Sequence, residues 1–124
     1  MTGVAVAAIS ARVLAEAASR DGFEVVALDL FGDRDTRRAA SRWAPIGEPG
    51  SLRIDGERLL DVLRELARGD AVQGWVAGSG FEGRPDLLEA GAACLPLLGN
   101  DAARVRRVRD PRAFFPLLDA HGIA

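Results

Sequence analysis

The residues best suited to chemistry stand in short segments that follow predicted strands. Residues 78–83 read Gly-Ser-Gly-Phe-Glu-Gly, which is the glycine spacing of a turn that holds a dinucleotide. In such a turn the backbone approaches a pyrophosphate that rests on a helix N-terminus. Here the segment follows the fourth predicted strand rather than the first, and Glu82 places a negative charge where the phosphate would lie. We therefore expect the segment to line a different site, with a nucleotide-binding turn as the alternative.

Three other side chains occupy comparable positions at predicted strand ends. Ser10 and Arg12 follow the first predicted strand, and Asp29 lies at the end of the second. Helix-terminal amides and the guanidinium of Arg12 could together hold a carboxylate or a phosphate. The alternative is an exposed arginine that pairs with Glu16 one helical turn later. Asp29 could hydrogen-bond a ribose or an amine, and its alternative role is to cap the turn that follows.

The residue types of this chain argue against covalent catalysis and metal binding. Ser79 lacks the flanking glycines of a nucleophile elbow, and the one cysteine, Cys94, is expected to be a buried apolar residue. The single histidine excludes a His-pair metal site, and the absence of lysine excludes a Schiff base and a P-loop. We assign no catalytic residue, metal or cofactor to this chain by itself.

The composition is typical of a cytoplasmic globular domain. Of the 124 residues, 48% are hydrophobic, and the formal net charge is −2, which argues against a nucleic-acid platform. No uncharged apolar stretch has the roughly 18 residues of a membrane span, and no basic segment suggests a signal peptide. The arginines between 104 and 109 are interpreted as one solvated helix face, with an anion-binding site as the alternative.

Short apolar runs alternate with amphipathic stretches, which is typical of βα units and a parallel sheet. Strands are predicted at residues 4–9, 24–30, 43–46, 73–77 and 95–98. Helices are predicted to start at Ser10, Asp55, Pro85, Asn100 or Asp101, and Asp110. A short helical turn is predicted at 36–40, and Gly91 is expected to cap the C-terminus of the helix that begins at Pro85. The fold class is therefore α/β: one Rossmann-like three-layer α/β/α domain over residues 1–124, with a mainly parallel sheet of about five strands and about five helices. Ligands of such sheets bind beyond the carboxyl ends of the strands.

Three segments together carry a resemblance to a known family. Residues 7–15, 25–36 and 78–82 resemble the N-terminal, pre-ATP-grasp domain of predicted ATP-dependent carboligases in the ATP-grasp superfamily, relatives of biotin carboxylase. The stretch from Leu98 to Ile123 is similar to the approach of that superfamily to its ATP-binding module. For the whole protein the resemblance implies ADP-forming ligation, in which ATP activates a carboxylate as an acyl phosphate that an amine or similar nucleophile attacks. ATP and magnesium are thus implied for the full-length protein.

The resemblance also implies roles for the strand-end residues and for a missing partner. Arg12 would orient an anionic group of a small-molecule substrate and Glu82 a cationic or amino group. The whole set expected to bind substrate is Ser10, Arg12, Asp29, Ser79, Gly80 and Glu82. Asp110-Pro111 departs from an Asp-Lys pair that is common in the superfamily, so we expect the phosphate-binding lysines and magnesium ligands in a downstream ATP-grasp domain. We expect this chain to be inactive alone.

Two other functions stay open at this point. The chain could be a stand-alone Rossmann-like nucleotide- or anion-binding module that uses residues 78–83, or an interaction domain that docks on a separate catalytic chain. We expect Phe114 and Phe115 to be buried if the domain is complete, and to belong to an exposed apolar patch if it is part of a larger assembly. No residue of the sequence identifies the substrate, and none points to a pterin. Whether the chain forms a homodimer also stays open.

Overall fold

Four parallel strands form one sheet in the computed structural model, which describes residues 2–123. The strands are β1 (Gly3–Ala7), β2 (Glu24–Asp29), β3 (Arg42–Pro45) and β4 (Val72–Ala77), in the order β3-β2-β1-β4. The helices of the described residues are α1 (Arg12–Arg20), α2 (Arg34–Ala39), α3 (Gly56–Arg68), α4 (Pro85–Cys94), α5 (Ala102–Arg109) and α6 (Pro111–Ala120). The α/β, Rossmann-like prediction is confirmed, with one strand fewer and one helix more than expected.

The topology places a switch point between β1 and β4. The chain builds β1, β2 and β3 in one direction, and α3 then carries it back to β4 on the other side of β1. Every residue of β1 is buried, because this strand has neighbours on both edges and helices on both faces. Ligands of open parallel sheets bind where the strand order reverses, which here is beside the segments after β1 and β4.

Two apolar cores cover the two faces of the sheet. On one face α3 and α4 pack leucine side chains around the fully buried Trp75, whose indole N–H donates to the Leu95 carbonyl at 3.0 Å. On the other face α1 contributes small residues such as Ala15. Gly91 was predicted to cap α4, and this prediction is wrong. It lies inside the helix, where a Cβ would stand 2.5 Å from the Trp75 ring, so the glycine permits close packing.

The helix starts follow the predicted signals with one exception. Asp55, Asp101 and Asp110 cap α3, α5 and α6 by accepting backbone N–H bonds, and Pro85 opens α4. Ser10 does not cap α1. The capping position belongs to Ala11, which makes no side-chain cap; its N–H donates instead to a carboxylate from β2.

The predicted fifth strand at 95–98 is reduced to a single bridge between Trp75 and Leu97. The backbone N–H of Trp75 donates to the Pro96 carbonyl at 2.9 Å, and the Trp75 carbonyl accepts the Leu98 N–H at 2.8 Å. Pro96 has no N–H with which to extend the ladder, and Gly99 adopts a φ of +124° that ends the extended backbone. Within residues 2–123, none of the helices combines the length and apolar character that crossing a bilayer requires.

Candidate functional site

Three strand-end segments meet at the carboxyl edge of the sheet. Ile9, after β1, donates its N–H to the Ser79 carbonyl at 2.9 Å and accepts the Leu30 N–H at 3.2 Å. The segments that carry Ser10, Asp29 and Ser79 are therefore in direct backbone contact. Ser10 and Ser79 are both exposed, and their contact with a ligand stays a prediction.

Asp29 is the polar centre of this edge. Its side chain is 0% exposed, and its carboxylate accepts four hydrogen bonds. The donors are the N–H groups of Ala11 at 3.0 Å, Phe31 at 3.2 Å and Gly32 at 2.9 Å, and the indole N–H of Trp43 at 2.8 Å. We call Asp29 and these four donors the Asp29 cluster. The carboxylate stands at the start of α1, where helix amides attract anions.

The contacts of Asp29 bear on its predicted role. A carboxylate with four donors and no exposed surface holds the loops after β1 and β2 in a fixed relation. Its bonds to Phe31 and Gly32 cap the turn that follows β2, which is the alternative role given to Asp29, whereas its bond to Ala11 was not anticipated. That Asp29 itself contacts a substrate stays a prediction, and in this conformation no surface of the carboxylate is free for one. The amide at the start of α1 is likewise occupied by the protein's own anion.

Trp43 and Arg37 belong to this edge and were not singled out from the sequence. The Arg37 guanidinium lies 4.2 Å from the centre of the Trp43 ring, and its Nε donates to the Gly32 carbonyl at 2.6 Å. A partly buried tryptophan needs an acceptor for its N–H. Trp43 lies in one predicted strand and Asp29 at the end of another, but no sequence pattern indicated that these two strands pair.

Arg12 stands at the first turn of α1 with its side chain half exposed. Its Nε donates to Glu16 at 3.1 Å, and its terminal nitrogen lies 2.9 Å from Asp35. The hydrogen bond to Glu16 and the charge of Asp35 raise the pKa of Arg12 above its ordinary value. This pairing with Glu16 is the alternative role that the sequence suggests for Arg12. The guanidinium still has further N–H donors, since it carries five, so its predicted anion contact stays a prediction.

The glycines of segment 78–83, after β4, permit close packing and a tight turn. Gly80 has a φ of +99°, and a Cβ there would stand 2.7 Å from Ile9. A Cβ at Gly78 would stand 2.8 Å from Leu14. The Gly80 N–H donates to the Glu82 carboxylate at 2.8 Å, so an internal anion closes the turn. These contacts disfavour the dinucleotide alternative, because side chains of the protein occupy the space beside both glycines.

An open groove of about 950 Å³ lies beside this segment, between the end of β4 and helices α5 and α6. We call it the α5–α6 groove. Its apolar side chains include Phe81, Leu88, Leu98, Val108, Phe114 and Leu117. Its polar lining is formed by Glu82, Asn100, Arg104, Arg107 and Arg109. The sequence interpretation treated the arginine run as one solvated face and missed this groove.

The arginine run is divided between two surfaces. Arg106 reaches Asp86 at 2.6 Å and Glu89 at 3.3 Å and so ties α5 to α4. These two hydrogen bonds raise its pKa above the ordinary value. Arg104 pairs with its own cap, Asp101, at 3.6 Å. Among the described residues, the salt bridges do not include Arg107 or Arg109, and both line the groove.

The described residues offer no magnesium site, and the backbone amides after β1 and β4 that could hold a phosphate are occupied by the protein's own carboxylates. Between residues 2 and 123, no group of three or more histidine, cysteine, aspartate or glutamate side chains is arranged to hold a metal ion. The start of α1 is occupied by Asp29 and the Gly80 amide by Glu82.

Solved structures share this fold. The biotin carboxylase domain of a thermophilic 2-oxoglutarate carboxylase, solved with bicarbonate, aligns with 98% of this chain and 28% of its own, at a TM-score of 0.73 and 15% identity. L-amino acid ligase from Bacillus licheniformis aligns with 100% of this chain and 31% of its own, at a TM-score of 0.64 and 19% identity. The C-terminal domain of a hydrogenase from Pyrococcus furiosus aligns with 78% of this chain and 88% of its own, at a TM-score of 0.56 and 15% identity.

These alignments confirm the resemblance at the level of the fold alone: the chain shares its fold with parts of a ligase and of a carboxylase. Identities below 25% show a common fold and no more, and the hydrogenase domain shows that the fold also occurs outside ligases. The chain spans about a third or less of the ligase and carboxylase chains that it matches. No protein-family model matches the sequence, and no curated protein matches it closely enough to count as a relative.

Proposed function

We propose that this chain is the N-terminal, substrate-side domain of an ATP-grasp ligase and is inactive without the ATP-binding part. The observation that carries the proposal is the coverage of the alignments. Nearly the whole chain superposes on about a third of a ligase and of a carboxylase, which is what a shared accessory domain would produce. The whole protein would join a carboxylate to an amine or similar nucleophile, with ATP and magnesium held downstream.

In this proposal the carboxyl edge of the sheet orients the substrate. Arg12 is held from one side by Glu16 and Asp35 and would present its remaining donors to an anionic group. Glu82 is exposed, with one carboxylate oxygen on Gly80, and its other oxygen would accept from an amino group. Ser10, Ser79 and Gly80 would line the same cleft. The Asp29 cluster would fix the distance between these loops, which matters because small misplacements of orienting groups are costly in rate.

The test compares substitutions of Arg12 and Glu82 in the full-length protein. We expect Arg12→Ala and Glu82→Gln each to raise the KM for the acceptor or carboxylate substrate by roughly tenfold or more, as the loss of a charged contact of 1.4 kcal/mol would do. The KM for ATP should stay unchanged, because neither residue contacts the nucleotide in this arrangement. Steady-state ADP release is the measurement.

Matched controls come from the opposite, amino edge of the sheet. Arg20→Ala lies in the last turn of α1 and Glu24→Gln at the exposed start of β2, so both change charge away from the carboxyl ends of the strands. Unchanged KM and kcat in both Arg12→Ala and Glu82→Gln would refute the site assignment.

A further inference from the structure

Helix α6 is poorly supported by the rest of the described fold. None of its residues is buried, and Pro116 interrupts its interior. Phe115 is 59% and Leu117 47% exposed. Helices shorter than about 12 residues are marginal in water unless an apolar face is covered, and an interior proline removes one hydrogen bond. The exposed phenylalanine is what we expected of a domain that belongs to a larger assembly.

The α5–α6 groove combines an apolar floor with a positive rim. Val108 is 60% and Leu98 46% exposed along it. Residues 98–123 contain five of the sixteen arginines but only three of the eighteen acidic residues, so this segment is positive while the remainder of the chain is negative. Within the described chain, no salt bridge neutralises Arg107 or Arg109.

We propose that the α5–α6 groove binds an acidic amphipathic helix that belongs to the ATP-binding part of the same ligase. The proposal rests on the proposed function and specifies the chemistry of the docking surface. The apolar face of such a helix would cover Val108 and Leu117, and its acidic flank would pair with Arg107 and Arg109. Helix-in-groove recognition uses this combination of apolar anchors and complementary charge.

Other occupants fit the groove less well. Two copies that face each other through this surface would bring Arg107 and Arg109 of each close to those of the other, and like charges disfavour such contact. Nucleic acid would leave the apolar floor unpaired, because its outer surface is charged phosphate.

Two synthetic helical peptides test the inference on the 124-residue chain. Both peptides carry leucines at spacings of three and four residues. One peptide has glutamates beside the leucine face, and the other has lysines at the same positions. Fluorescence anisotropy of the labelled peptides measures their Kd. We expect the glutamate peptide to bind at least about tenfold more tightly than the lysine peptide, and this preference to weaken as salt rises. The double substitution Arg107→Glu with Arg109→Glu should abolish or reverse the preference, and Val108→Ser should weaken both peptides.

A charge-matched control separates local from global charge effects. Arg20→Glu with Arg68→Glu makes the same charge change at the last turns of α1 and α3 and should leave the preference intact. Absence of binding, equal binding of the two peptides, or a preference that also vanishes in this control would overturn the proposal. Dimerisation in sedimentation that Val108→Ser breaks would assign the groove to a second copy and overturn it too. None of these measurements uses ATP or ligase activity, so failure here is distinguishable from failure of the proposed function.

Discussion

The Asp29 cluster and the α5–α6 groove lie at the same edge of one sheet, but their side chains differ in burial and in how their polar groups are paired. In the cluster a charged group is fully buried, and four donors from three segments of the chain satisfy it. Along the groove, Leu98, Val108 and Leu117 are about half exposed, and Arg107 and Arg109 lie beside them with no salt bridge to the described residues. One region completes its interactions internally, and the other presents groups that a second surface could satisfy.

This difference separates stability from recognition. A buried carboxylate that fixes three segments contributes to folding whether or not a ligand is present, because its removal strands its donors. Exposed leucine and valine side chains contribute little to folding of the isolated chain, and they gain their burial only when something covers them. Substitutions in the two regions should therefore have different consequences for the free energy of unfolding.

The largest expected effect comes from Asp29→Ala. It would leave the N–H groups of Ala11 and Gly32 and the indole of Trp43 without their acceptor, at about 1 to 3 kcal/mol for each buried group. We expect the free energy of unfolding to fall by about 3 kcal/mol or more, measured by urea denaturation. Asp110→Ala is the matched control at α6, where the carboxylate is 39% exposed and accepts the Arg112 N–H.

The control substitution Asp110→Ala should lower the free energy of unfolding by only about 1 kcal/mol, which is the usual effect of losing a helix cap. Equal losses in the two variants would contradict the contrast drawn between the cluster and the α5–α6 segment. A loss for Asp29→Ala below about 1 kcal/mol would mean that water reaches its donors.

Local patterns predicted most of the fold and only part of the site. Alternating apolar runs located the four strands, and Asp55, Asp101 and Asp110 were recognised as caps, because both signals depend on neighbours within a few residues. The four donors to Asp29 come from positions 2 to 18 residues away in sequence. Their convergence depends on strand order, which no local pattern encodes.

The same limit explains Gly91 and the α5–α6 groove. A glycine near a helix end resembles a cap, and only the position of Trp75 across the core shows that it permits close packing. The arginines of α5 form one basic run in sequence, yet Arg106 turns towards α4 while Arg107 and Arg109 line the groove. Helical rotation and the angle between helices decide this division.

The next largest effect is expected within the glycine segment after β4. Gly80→Ala places a Cβ 2.7 Å from Ile9 at a φ of +99°, whereas a Cβ at Gly83 meets nothing within 4 Å. We expect Gly80→Ala to lower the free energy of unfolding by about 1 to 3 kcal/mol through crowding and strain. Gly83→Ala should change it by less than about 0.5 kcal/mol. Thermal unfolding measures both, and a larger loss for Gly83→Ala would show that the segment is not packed as described.

The smallest expected effect concerns acid and the loop beside the Asp29 cluster. The backbone N–H of Thr36 donates to Asp33 at 2.8 Å and is the main cause that lowers the pKa of Asp33 below its ordinary value of 3.8. Folding then favours the ionised carboxylate, so its contribution to stability is present above the unfolded pKa and is lost as pH falls through the lower, folded pKa. Asparagine keeps a capping oxygen but no charge.

We therefore expect Asp33→Asn to melt at a lower temperature than the unsubstituted chain near pH 6 and the two melting temperatures to converge near pH 2, values that bracket the ordinary aspartate range. Asp70→Asn, in the exposed turn after α3, provides the charge-matched control. A gap between Asp33→Asn and the unsubstituted chain that widens on acidification would reverse the sign and disprove the assigned hydrogen bond.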